Sequence, residues 1–182
     1  FTTDEHPRRN SSLEKLASLN LLNPDLEGAV TTAGNASGLN DAAAALMLVS
    51  RDYAKAHGLQ PLAVIRGWAS AGVDPVETGL APTKALPRAL AKAGISIADL
   101  QSVEINEAFA SMAVASSRIL GLDHEIVNVN GSGCSLGHPI ACTGARMIVT
   151  MINELIRTDA QWGAVAMCAA GGMGSATIIE RV

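Results

Sequence analysis

Hydrophobic and polar positions alternate along this chain in two rhythms. Val127 and Val129 alternate with Asn128 and Asn130, a period of two that predicts a strand over 126–130. Short apolar runs at Leu62–Ser70, Ser102–Ile105, Gly163–Cys168 and Ser175–Glu180 predict four more strands. Between them lie stretches with helical spacing. Ala145, Ile148, Val149, Ile152 and Leu155 form a stripe of period 3.6 within a helix predicted over Ala141–Arg157. Glu107–Leu120 predicts a helix closed by Gly121, with Asn106 at the strand-to-helix junction. A helix is expected to begin within a turn of Pro87 and to stop at Gly94. The alanine-rich run Asp41–His57, with Asn40 as N-cap, predicts another. Near the start, Ser11 and Glu14 make a capping-box pattern ahead of LEKLASL.

Strands alternating with helices imply an α/β layered fold. The last two strands are separated only by a glycine loop, so they pair antiparallel and the sheet is mixed. The turn-rich stretch 71–83, AGVDPVETGLAPT, is the best candidate for a domain boundary or the rim of a site. The 20–50-residue repeats of solenoids and propellers are absent from the sequence.

Composition narrows the picture. Hydrophobic residues make up 48% of the 182 and charged ones 16%, enough to bury a core. Aromatics are only 3%, so the core must be built from Ala, Val, Leu, Ile and Met. The net charge of -4, without a basic run, argues against nucleic acid. Three cysteines do not make a disulfide framework; free thiols in a reducing compartment, the cytoplasm, are expected. No apolar run reaches membrane-spanning length, so no membrane partner is expected. The first residue is not Met and FTTDEHPRRN resembles no leader, so a fragment or a processed piece is the expectation.

The densest chemistry lies in Val127–Ala145. There a predicted strand meets a glycine-rich bend carrying Cys134 and His138, and then a helix start. Gly131, Gly133 and Gly137 permit positive φ or close approach. Pro139 keeps His138 just ahead of the helix. A histidine so fixed can be a base or an oxyanion donor, or can simply bond nearby backbone. Asn106, His138 and Cys168 each follow a predicted strand, and ligands in α/β sheets commonly sit beyond strand carboxyl ends. Asn106 also reads as an N-cap, Cys168 as a small buried hydrophobe, and Glu107 as first-turn charge. GxGxxxG at Gly131, Gly133 and Gly137 is one residue longer than the dinucleotide fingerprint, and no suitably spaced acid follows. Cys134, His138 and Cys142 are spaced by four, but Gly137 and Pro139 break the helix that would align them, so no metal site is expected. His6, His57 and His124 lie in polar stretches and receive no role.

Four motifs in order now carry a resemblance over essentially the whole chain. They are TAGNASGLND (Thr32–Asp41), NEAFA (Asn106–Ala110), VNVNGSGCSLGHPIACTGAR (Val127–Arg146) and CAAGGMG (Cys168–Gly174). Together they resemble the carboxy-terminal half of the thiolases, the acetyl-CoA C-acetyltransferases and 3-ketoacyl-CoA thiolases. The resemblance implies a layered α/β fold with a mixed, five-stranded-type sheet covered by helices. Residues 1–72 would be the end of the loop region and the last helix-strand of the amino-terminal domain, and 73–182 the carboxy-terminal domain. It implies that His138 helps activate a nucleophilic cysteine and donates to a first oxyanion hole, completed by a water on Asn106. Cys168 would be the acid/base at the α-carbon, and the Ala170 amide would contribute to a second oxyanion hole. Ser37 would touch coenzyme A, and Phe109 and Ile140 would lie near the acyl pocket.

The nucleophile of the family belongs to the amino-terminal half, and no residue here replaces it; Cys134 and Cys142 flank the wrong motif. Ala170 and Ala141 stand where many members have glycine, and alanine disfavours positive φ while keeping its amide. The resemblance also implies acyl-CoA and coenzyme A as substrates, no cofactor, the amino-terminal half as partner, and a homodimer or homotetramer. The chain alone would be inactive. Other readings are a non-catalytic CoA-binding or assembly piece, and a cysteine hydrolase using His138 and Cys168, for which no orienting third partner is evident.

Overall fold

Four strands form one mixed sheet in the computed structural model, which describes residues 2–182. They are β1 (Ala63–Gly72), β2 (Ser102–Ile105), β3 (Trp162–Ala169) and β4 (Met173–Arg181), in the order β1-β4-β3-β2. β4 is antiparallel to both β1 and β3, as the short glycine loop requires, whereas β2 and β3 are parallel. The division expected at 72/73 falls at the end of β1, whose residues pair along β4.

The sheet has four strands among the described residues rather than the five-stranded type expected, because 126–130 is not a strand. Its chain makes one isolated parallel bridge, Val127 to Val103, after a 3-10 turn at His124–Ile126. Asn128 then enters the left-handed region at φ 52° and turns the chain away. The valine–asparagine alternation therefore reflects one bridge and a turn, not a ladder.

Each face of the sheet carries a helix. α3 (Pro82–Ala93) packs Ala85, Leu86 and Ala89 against Ala164, Ala166 and Ile178. α6 (Thr143–Thr158) packs Met147, Met151 and Leu155 against Val165 and Ile179 on the opposite face. Successive strand residues thus serve opposite layers, as the pleat demands. Small residues set the spacing: a Cβ on Gly67 of β1 would come within 2.4 Å of the Ala89 carbonyl oxygen. This is how a core nearly free of aromatics closes.

Helix limits differ from the pattern in instructive ways. α3 starts five residues before Pro87, which lies on its exposed side; burial of Pro82, Thr83, Ala85 and Leu86 carries the helix through it. The buried stripe of α6 is centred on Met147, Met151 and Leu155, not on Ala145 and Val149, which are only half-buried; methionine fills the layer that the aliphatic count assigned to its neighbours. α4 (Ala110–Leu120) begins after Phe109, later than expected, and α5 is a single turn at Gly133–Leu136.

The amino-terminal stretch is different in kind. α1 (Leu13–Ala17) is capped by Ser12, whose hydroxyl accepts from the Lys15 amide, one residue on from the expected Ser11. The helix expected over 41–57 is confined to α2 (Arg51–Ala56), with Ser50 as its cap. Met47, Leu48 and Val49 are exposed, and nothing among the described residues covers them. Without a packed face, alanine propensity alone holds a helix of this length only marginally.

Candidate active site

β2 ends at Ile105, which pairs with Ala166 of β3 on one side and is held by a side chain on the other. Asn128 Oδ1 accepts from the Ile105 amide (2.8 Å), and Asn128 Nδ2 donates to the Ile105 carbonyl (3.0 Å). The same amide nitrogen donates to Glu107 Oε1 (2.9 Å). Glu107 Oε2 accepts the Cys134 amide at 3.1 Å. Glu107 is thus a brace between the end of β2 and the glycine-rich bend, not helix first-turn charge.

Asn106 leaves β2 with its amide bonded to the Ala166 carbonyl (2.9 Å). Its side chain is buried, and Oδ1 has no hydrogen-bond partner among the described residues. Nδ2 lies 3.5 Å from both ring nitrogens of His138, close but long for a bond. Asn106 is not an N-cap here; Phe109 holds that position for α4. Gly133 lets the bend approach: a Cβ there would lie 2.6 Å from the Glu107 carbonyl oxygen and 3.1 Å from Asn106 Oδ1.

Two hydrogen bonds fix His138. Its backbone amide donates to Asn40 Oδ1 (3.1 Å), so Asn40 serves the histidine instead of capping a helix. Gly137, at φ 99°, makes room for that amide side chain, which a Cβ would meet at 2.7 Å. On the ring, Nδ1 is 2.7 Å from the hydroxyl of buried Thr143. Burial and, secondarily, the Arg146 guanidinium hold the imidazole below its ordinary pKa and keep it neutral. Arg146 is paired with buried Glu104, which also accepts from the Ser132 hydroxyl (2.9 Å). Burial pushes the Glu104 carboxyl up, with Arg146 and Ser132 opposing.

Cys168 sits near the carboxyl end of β3, half-buried, with Sγ 4.0 Å from Met112 Sδ. Because β2 and β3 are parallel, Asn106 and Cys168 lie toward the same end of the sheet, beyond and near the carboxyl ends of their strands. Burial pushes the Cys168 thiol up, so it rests protonated. Cys134 is raised too, by burial and then by Glu107, and its Sγ lies 3.4 Å from the Asn35 and Glu107 carbonyl oxygens. Although the residue is exposed, a thiol raised in this way is not an activated nucleophile. Cys142 is buried.

Ala170 lies in the turn between β3 and β4 and stays out of the left-handed region; Gly171 and Gly172 take the positive φ instead. Thr78 pins that turn, donating to the Ala169 carbonyl (2.7 Å) and accepting the Gly172 amide (3.0 Å). Ser37 donates its amide to the Ala108 carbonyl (3.0 Å), and Ala36 bridges Phe109, so the first motif is strapped to the second. Ile140 is exposed and lines a pocket of about 340 Å³ with Leu39, Asn40, His138 and Cys142. Asn40, Asn128 and Thr143 are the site residues that pattern alone passed over. Among the described residues, no cluster of His, Cys, Asp or Glu could hold a metal ion, and no helix is long and apolar enough to cross a membrane.

Residues 59–181 match the family model "Thiolase, C-terminal domain", and residues 1–52 the model "Thiolase, N-terminal domain". The beta-ketothiolase BktB of Cupriavidus necator is 47% identical over 182 residues, covering 100% of this chain and 46% of that protein. Acetyl-CoA acetyltransferase of Pseudomonas aeruginosa is 49% identical over 183 residues, with the same coverage. This chain therefore spans about half the length of the curated relatives it matches. The crystal structure of Bacillus anthracis acetyl-CoA acetyltransferase superposes with a TM-score of 0.92 at 49% identity, covering 98% of this chain and 45% of that one. Human mitochondrial 3-ketoacyl-CoA thiolase in complex with CoA gives 0.87 at 38% identity, with the same coverage. With fold, motif order and family models in agreement, the chain belongs to the thiolase family.

Proposed function

We propose that these 182 residues supply the acid/base and oxyanion half of a thiolase active site, whose nucleophilic cysteine lies outside them. The intact enzyme cleaves 3-ketoacyl-CoA with coenzyme A, or condenses two acetyl-CoA in reverse, through an acyl-cysteine. The observation that carries this reading is the pairing of Asn106 with His138 at 3.5 Å, with Asn106 Oδ1 buried and unpartnered. A neutral His138 takes the proton of the incoming cysteine thiol. Then, as an N–H donor, it faces the thioester oxygen together with a water on Asn106. Cys168, resting protonated, returns a proton to the α-carbon when the ketoacyl bond breaks, and removes one in the condensation. The Ala170 amide serves the second oxyanion hole, Ser37 the coenzyme A moiety, and Phe109 and Ile140 the acyl group.

No cofactor is needed for these steps, coenzyme A being a substrate. The amino-terminal half of the enzyme is the first partner, and the family resemblance supports a homodimer or homotetramer. Three free cysteines fit a cytoplasmic enzyme.

Acetoacetyl-CoA thiolysis by the intact enzyme tests the assignment. Cys168→Ser lowers turnover by about 10²–10⁴-fold, the usual contribution of a placed acid/base. His138→Ala falls by at least about 10²–10³-fold, and His138→Asn retains more, since an amide still donates to an oxyanion. Turnover near that of the parent in both variants would overturn the reading. Residues 1–182 alone give no cleavage; activity there would relocate the nucleophile to Cys134, Cys142 or Cys168.

A further inference from the structure

We infer that Thr143 is a positioning residue that fixes the tautomer of His138, with the proton on Nδ1 and the lone pair of Nε2 turned to the site. The inference deepens the role of His138 proposed above and rests on it only for its catalytic consequence.

The argument is a count of donors and acceptors. Thr143 is fully buried, one residue beyond the N-cap of α6, and its hydroxyl has one proton. That hydroxyl donates to the Pro139 carbonyl oxygen at 3.0 Å, an atom that can only accept. Its lone pairs are then left for His138 Nδ1 at 2.7 Å, so Nδ1 must carry the hydrogen. Neutral imidazole has one N–H, so Nε2 is bare. Asn106 Nδ2, 3.5 Å from both ring nitrogens, is too distant and too evenly placed to choose between the tautomers, so the two bonds of the Thr143 hydroxyl decide. The other tautomer would turn the Thr143 proton onto Nδ1 and abandon the Pro139 bond. It makes one bond fewer in a buried place.

Chemistry gives the arrangement its use. A single ring atom, Nε2, accepts the thiol proton in one step and presents it as a donor in the next. Nδ1 stays tied to Thr143 throughout, as a base held by a third group requires. Thr143→Val is nearly isosteric and removes only the hydroxyl; Thr143→Ser retains it.

The test is ¹⁵N NMR of histidine-labelled intact protein above the titration of the ring. The His138 signals are identified by their loss in His138→Asn among the four histidines. The expected result is a protonated-type Nδ1 and a bare-type Nε2 in the parent and in Thr143→Ser, and loss of that single tautomer in Thr143→Val. A proton on Nε2 in the parent, or an unchanged tautomer in the folded valine variant, would overturn the inference whatever the activity. Kinetically, Thr143→Val lowers kcat about tenfold, the scale of one neutral hydrogen bond, with KM little changed. Thr143→Ser restores it. If the tautomer behaves as expected while His138→Ala retains full activity, the failure belongs to the proposed function and not to Thr143.

Discussion

Residues 2–58 and 63–181 share a composition rich in alanine, yet only one of them buries it. In the first stretch Ala54 alone is buried, whereas the second encloses two apolar layers on a sheet. The two meet around the candidate site: Asn35 and Ser37 bond to the segment around Phe109, and Asn40 holds the backbone of His138. Hydrophobic pattern becomes structure only where another element covers it. The fixed part of the first stretch is polar, fastened through amides and carbonyls to the second.

The sharpest way to break this contrast is one substitution made in both regions. Leu86→Ala empties a fully buried position between α3 and the sheet and should cost about 2–5 kcal/mol. Leu13→Ala, at a position 82% exposed, should stay within about 0.5 kcal/mol. Denaturant midpoints measure both; equal losses would mean that the first stretch packs as well as the second.

A smaller effect is expected where the two kinds of order meet. Asn128→Ala removes three side-chain bonds and leaves both backbone groups of buried Ile105 without their partner. The expected cost is about 1–3 kcal/mol, the penalty for buried groups left unpaired. Asn128→Gly relieves the φ of 52° but not the lost bonds, and should recover only part of the loss. Stability unchanged in both variants would show that the end of β2, and Asn106 with it, needs no such clamp.

Hydrogen exchange of residues 1–182 then reads the contrast amide by amide. Among the described residues, no backbone hydrogen bond is donated from 41–49, so these amides should exchange as freely as an unfolded peptide, while Val165 and Ala166 are protected. Protection across 41–49 would restore the helix that the alanine-rich pattern predicts there.

Much of this architecture was legible in the chain. β2 is found where the apolar run placed it, and the glycine loop foretold the antiparallel β3–β4 pair. Asn106 and His138, which come from separate motifs, do lie side by side. What escaped did so for physical reasons. Valine and asparagine at 127–130 have the period of a strand, but only the fold reveals that Asn128 completes β2 with its side chain. Asn40 looks like an N-cap because its real partner is 98 positions away. Thr143 gives no signal at all, because a buried hydroxyl shows its importance only through what it touches. Long-range polar contacts leave no period in a sequence.

The smallest expected effect concerns the charge that sits beside His138. Burial first, and Arg146 second, lower its pKa. A histidine whose folded pKa lies below its unfolded value binds its proton more readily in the unfolded chain. Its contribution therefore favours the fold at pH above the ordinary imidazole value of about 6.5, and is lost as pH falls through that value toward the folded pKa. Removing Arg146 alone would strand buried Glu104, so the clean variant is Glu104→Gln/Arg146→Met, which removes both charges of the pair. In that variant the pKa of His138 should rise but stay below the ordinary value, because burial, the larger cause, remains. Titration of the His138 ring by NMR distinguishes the causes. A pKa that does not move would leave burial as the whole cause. A pKa that returns fully to the ordinary value would mean that the guanidinium, and not the enclosure built by the glycine-rich bend, keeps this imidazole neutral.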